Sequence, residues 1–130
     1  MLNYFRNSFV PGIIWFCIIT FLFLLPKKEL PQESWFEKIY LDKWAHFGFI
    51  FLLVLFTAVP AYFRSARSFP FRLGLLTTAA IIYSIAIEYL QKYLTPDRSF
   101  DVWDIVFDIA GALAAALLMC NHKWRSIIKR

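Results

Sequence analysis

RSFDVWDIVFDIAG, residues 98–111, decides how the rest of the chain is read. It opens an apolar segment that runs to about Cys120, yet it places Asp101, Asp104 and Asp108 at offsets of three and seven, which one face of a helix brings together. A carboxylate at the centre of a bilayer costs roughly 2.5 to 3.5 kcal/mol on insertion scales, so a membrane helix with several of them must turn them toward protein or a wet cavity. The other segments are therefore expected to enclose that face.

Composition supports a membrane setting. Of the 130 residues, 60% are hydrophobic and 20% aromatic, which is far too apolar for a soluble domain of this size. One domain fits this length. The formal charge of +5 comes from short cationic clusters beside apolar runs, with no basic groove interleaved with aromatics, so nucleic acid is set aside as a partner. Cys17 and Cys120 lie in apolar segments without metal-ligand spacing and read as small packed hydrophobes rather than a disulfide framework.

Working outward, FVPGIIWFCIITFLFLL reads as a first span, with Pro11 tolerated in its first turn and PKKEL as a charged stop. LPQESWFEKIYLDK follows, with Ser34 and Glu37 at capping-box spacing and Trp35, Phe36, Ile39 and Tyr40 on one helical face, a pattern for a short interfacial helix. A second span from Trp44 carries Pro60 near its end, RSARSFPFR makes a basic turn, and Leu73 to Leu94 gives a third span containing Glu88 and Gln91. TPDRSFD makes the next turn, with Asp101 a natural cap for the fourth span. Gly111, Ala112, Ala114, Ala115 and Ala116 offer that span a small-residue surface for close packing. NHKWRSIIKR closes the chain as a basic tail. The fold class is thus all-α: an integral membrane four-helix bundle in a single domain, residues 1–130, with spans at about 9–25, 44–63, 73–94 and 102–120 and a short interfacial helix between spans one and two.

Orientation follows from the cations. Eight of the 14 Lys and Arg (Arg6, Arg64, Arg67, Arg72, Lys123, Arg125, Lys129 and Arg130) belong to the face shared by both termini and the middle turn, which favours both termini in the cytoplasm. All nine acids, from Glu29 to Asp108, belong to the opposite half. There Asp42 and His46 sit four apart at the start of the second span, with Lys43 beside them. Glu88 precedes Leu94 by six residues and Asp108 follows Asp101 by seven, depths of about 9 and 10 Å. Three helices then contribute to one outward-facing acidic pocket. Asp42, Glu88, Asp101, Asp104 and Asp108 give five negative charges against Lys43 and Arg98, an excess that calls for a cation, further partners or protonation.

Asp42-Lys43-x-x-His46-Phe47, then Glu88-x-x-Gln91, then Arg98-x-x-Asp101-x-x-Asp104-x-x-x-Asp108-x-x-Gly111 resembles the VanZ-like family of small bacterial membrane proteins. That family usually has Asn where this chain has Asp108, so the pocket here is more acidic. The resemblance implies a multi-helix protein of the bacterial cytoplasmic membrane, in a family named for a member linked to teicoplanin resistance, and it supplies no reaction.

Bland and functional readings stand side by side at each position. Asp101 and Asp104 suit capping of the fourth helix as well as ligand binding, and Arg98 suits a salt bridge to these acids as well as a phosphate contact. His46 suits a structural hydrogen bond to Asp42, a proton carrier or a metal ligand, and Gln91 a bond to Glu88. In the functional reading Asp42, Lys43, Gln91, Arg98, Asp101 and Asp108 bind a ligand, His46, Glu88 and Asp104 carry any catalysis, and Asp101, Asp104 and Asp108 hold a divalent cation such as Mg²⁺. The ligand expected is a lipid-linked cell-wall precursor or a phospholipid headgroup. An enzyme transferring or hydrolysing such a headgroup, a non-catalytic binding protein, and a structural subunit of a larger membrane assembly or oligomer all stay open.

Overall fold

The computed structural model describes residues 7–26, 41–95 and 98–129. The expected interfacial helix lies outside these residues. Among them every regular element is helical: α1 (Val10–Phe23), α2 (Leu41–Arg64), α3 (Phe69–Leu94), α4 (Val102–Cys120) and α5 (His122–Ile128). Helices α2, α3 and α4 are each long and apolar enough to cross a membrane. Helix α1, with 14 residues, spans about 21 Å and falls short of a hydrocarbon core of about 30 Å.

The element ends have local causes. Helix α3 starts at Phe69, four residues before position 73, because Pro70 occupies its first turn, where the missing N–H leaves no bond unmade. Helix α2, described from Leu41, continues through Pro60 to Arg64. Asp101 caps α4, its side chain accepting from the Trp103 N–H at 2.8 Å. The expected basic tail is instead a short helix: the Asn121 side chain accepts from Lys123 N at 2.9 Å, and Trp124 and Ile128 pack on the bundle.

The bundle is built inside out relative to a soluble protein. Phe71, Leu117, Tyr93 and Phe21 are each more than 65% exposed, while His46, Glu88, Gln91, Asp104 and Asp108 are buried. That exterior is stable against lipid rather than water. Hydroxyls inside the helices bond back to their own turns, Thr77 to the Leu73 carbonyl at 2.8 Å and Ser84 to the Ile81 carbonyl at 2.9 Å, so neither hydroxyl is stranded. Cys17 and Cys120 are free, in line with the reading that they form no disulfide framework, but they are exposed rather than packed.

Helices α2 and α4 make the most extensive pair. Their contact is set by Gly111: a Cβ there would stand 2.3 Å from the Phe47 carbonyl oxygen, so only glycine permits this approach. The core around it holds Ile19, Phe23, Ile50, Leu53, Val54, Ile87, Ala112 and Ala115. Helix α1 is fastened by Trp15 Nε1–H donating to the Phe49 carbonyl at 3.0 Å and by a 2.8 Å bond between the Thr20 and Tyr83 hydroxyls. A second core cluster at the other end joins Ala58, Tyr62, Phe69, Leu73 and Met119. Cations gather at that end, with Arg64 over the Phe9 ring at 4.6 Å and Lys129 over Tyr62 at 5.4 Å.

Candidate functional site

The polar side chains converge where α2 begins, α3 ends and α4 begins. Lys43 Nζ donates to Asp101 Oδ2 at 2.7 Å and to Asp104 Oδ1 at 3.0 Å, so one ammonium ties the start of α2 to the cap and first turn of α4. One turn deeper, His46 Nδ1 lies 3.2 and 3.3 Å from the two Asp108 oxygens. The carboxylate only accepts, so the ring N–H at Nδ1 donates. The other ring nitrogen, Nε2, is buried without a hydrogen-bond partner and faces Asp104 Oδ2 at 3.8 Å. Phe23 covers the imidazole, with ring centroids 4.6 Å apart.

Glu88 reaches across from α3. Its Oε1 accepts the Asp101 backbone N–H at 2.7 Å, an amide at the start of α4 that would otherwise lack a partner, while Oε2 is buried and unpaired. Gln91 does not bond Glu88. Its Nε2–H donates to the Phe23 carbonyl at 2.8 Å and fixes the end of α1. Thr95 supports the same end, 3.4 Å from the Leu24 carbonyl.

Of the expected site residues, the structure brings together Lys43, His46, Glu88, Asp101, Asp104 and Asp108, with Asp42 exposed at the rim. Asp101, Asp104 and Asp108 do share the inward side of α4, but their carboxylates take different partners: Lys43 and the cap for Asp101, Lys43 for Asp104, His46 for Asp108. Among the described residues, the trio whose donor atoms come within 4.8 Å of one another is Asp42, His46 and Asp104. Arg98 forms no ion pair with the acids among the described residues, and its Nε is buried without a partner. Phe23 and Thr95 escaped the sequence reading, since nothing in an apolar run or a turn marks which carbonyl or ring will roof a site. Outside the membrane segments, Asp101 is held below the usual carboxylate range, first by its bond to Lys43, with burial opposing and the Trp103 amide adding.

A helical membrane bundle with an apolar exterior and a buried cluster of charge at one end is the class that this fold and site define. Within it, the chain belongs to the VanZ/LLP1 family, whose model matches residues 8–125. Comparison with curated proteins and with solved structures gives no match.

Proposed function

We propose that this VanZ-like protein engages a lipid-linked cell-wall precursor or phospholipid headgroup at the polar end of the bundle, facing outward from the bacterial cytoplasmic membrane. The observation that carries the reading is the buried charge itself: Glu88 and Asp108 are 0% exposed and His46 1%, at the end of apolar helices where a bundle held by packing alone needs no ions. Lys43 is already neutralised by two aspartates, so among the described residues Arg98, whose buried Nε has no partner, is the cation we assign to a phosphate, with the acids to meet an amine or peptide-bearing headgroup.

The test is mass spectrometry of lipids that co-purify with the full chain in detergent. A phosphate-bearing lipid enriched over the membrane's own composition, and lost in Arg98→Gln, is the expected result; no enrichment in the parent overturns headgroup binding. A link to glycopeptide resistance predicts that expression raises tolerance to teicoplanin and that Arg98→Gln reverses the gain.

A second reading, cation-assisted transfer or hydrolysis of the same headgroup, is favoured by the mixed imidazole and carboxylate donors at this end. It predicts a new lipid species on overexpression, whereas unchanged lipid pools leave a binding protein. Glu88→Gln and Asp104→Asn at normal expression levels would then abolish the product.

A further inference from the structure

We propose that Asp42, His46 and Asp104 form a site for a divalent transition-metal ion, with His46 Nε2 and one carboxylate oxygen from each aspartate as donors. One donor atom from each of the three lies within 4.8 Å of the others, two residues from one face of α2 and one from α4, and Nε2 itself stands 3.8 Å from Asp104 Oδ2. The carboxylates alone would point to nothing in particular. The histidine points to an ion.

His46 is 1% exposed, and among the described residues its Nε2 has no hydrogen-bond partner. Since Nδ1 carries the proton that goes to Asp108, Nε2 in the neutral ring is a bare lone pair. That lone pair faces Asp104 Oδ2 at 3.8 Å, too far for an N–H···O bond and with electron density opposed to electron density in a water-poor interior. A metal ion between them resolves the opposition, because bonds of about 2.0 to 2.2 Å to nitrogen and oxygen reach across such a gap in a bent arrangement.

The surroundings supply the supporting bonds such a site requires. Asp108 orients the ring from behind, the carboxylate–histidine–metal relation that fixes the tautomer and raises ligand basicity. Lys43 holds the other oxygen of Asp104 at 3.0 Å and leaves Oδ2 free to ligate. Two carboxylates balance the charge of a divalent ion. One imidazole with two carboxylates suits Zn²⁺ or Mn²⁺, whereas Mg²⁺ and Ca²⁺ take oxygen donors, so the ion differs from the Mg²⁺ expected of Asp101, Asp104 and Asp108. With Asp42 exposed at the rim, the remaining coordination positions open toward the boundary, where water or a phosphate oxygen can enter. The site deepens the headgroup reading by naming what a phosphate would meet, yet ion binding itself does not depend on a lipid.

The experiment is titration of chelator-stripped, detergent-purified full chain with Zn²⁺, Mn²⁺ and Mg²⁺ in the absence of added lipid, with bound metal counted by elemental analysis. One equivalent of Zn²⁺ or Mn²⁺ per chain is expected, held more tightly than Mg²⁺. Asp108→Asn is expected to weaken it by about 10- to 100-fold, the usual effect of losing a ligand's supporting partner, and His46→Gln and Asp104→Asn by more. Asp42→Asn, at an exposed position in the first turn of α2, should also weaken binding and serves if the buried variants fail to fold. Failure of the parent to take up a stoichiometric ion, or uptake unchanged in Asp42→Asn and His46→Gln, would overturn the site. Metal uptake without lipid enrichment leaves the site standing and removes headgroup binding; lipid enrichment without metal uptake does the reverse.

Discussion

Asp101 shows how much one side chain can organise. One carboxylate oxygen caps α4 at Trp103 and the other receives Lys43 from α2, while its backbone N–H goes to Glu88 of α3. Because its folded value lies below the unfolded value of about 3.9, folding favours the ionised form. Its stabilising contribution is complete above that pH and is lost as pH falls through the lowered folded value. The thermal midpoint in detergent should therefore drop on acidification below about pH 4, with a shallower drop in Asp101→Asn. At 39% side-chain exposure solvent screens the pair, so the effect should be modest. Asp108 is the contrasting case. It is fully buried, and Asp108→Ala strands the His46 Nδ1–H at a cost of about 1 to 3 kcal/mol, whereas Asp108→Asn keeps an acceptor and should lose less. Chemical or thermal unfolding of both variants checks the ranking.

At the scale of elements, the site depends on how closely α4 approaches α2. Gly111 meets backbone: the Phe47 carbonyl oxygen would be 2.3 Å from an added Cβ, and backbone cannot turn aside. Gly111→Ala is expected to force the helices apart, destabilising the bundle by about 1 to 3 kcal/mol or more and loosening the bonds between Lys43, His46 and α4. Gly12 provides the control. A Cβ there meets the Thr57 methyl at 2.9 Å, on a side chain tied to the Leu53 and Val54 carbonyls, but the nearest backbone, the Phe56 carbonyl oxygen, stands off at 3.4 Å and alanine gains helix propensity of up to about 1 kcal/mol, so Gly12→Ala should cost less than Gly111→Ala. Thermal melts of the two variants side by side decide it. Helix α1 is held differently, through Gln91 and Thr95 at one end and Trp15 along its length, so Gln91→Leu, which frees the buried Phe23 carbonyl, should release α1 at a cost of about 1 to 3 kcal/mol.

For the whole molecule, charge is divided between the two ends of the bundle. Asp42, Glu88, Asp101, Asp104 and Asp108 cluster where α2 and α4 begin, and Arg64, Arg125 and Lys129 sit over aromatic rings at the other end. Lysine and arginine bias sets topology, so the end carrying Arg64 and α5 is expected in the cytoplasm. A C-terminal fusion to a reporter active only in the cytoplasm should be active, and activity from a reporter that works only outside the cell would reverse the orientation and place the polar cluster inside. The N-terminus shares the side of the C-terminus only if α1 crosses fully, and its 14 residues need local thinning or flanking residues to do so.

Much of this protein was legible before any coordinates. Apolar runs of span length, the segregation of acids from the basic face and the spacing of Asp101, Asp104 and Asp108 are properties of the chain, because hydrophobic transfer and helical periodicity act locally. They were enough for an all-helical membrane bundle, while the family was legible only through the resemblance carried by the motifs at Asp42–Phe47, Glu88–Gln91 and Arg98–Gly111. Asn121 was also a readable helix start that the view of a basic tail passed over. Pairings between helices were not legible. That Gln91 bonds Phe23 rather than Glu88, that Lys43 takes two aspartates and Arg98 none among the described residues, and that Asp42 rather than Asp101 or Asp108 joins His46 and Asp104 in one set of donor atoms all depend on the rotation and separation of packed helices. Those are fixed by side-chain volume at the contacts, above all by the missing Cβ of Gly111. Sequence periodicity places a residue on a face, but only the packed bundle decides which atom stands opposite it.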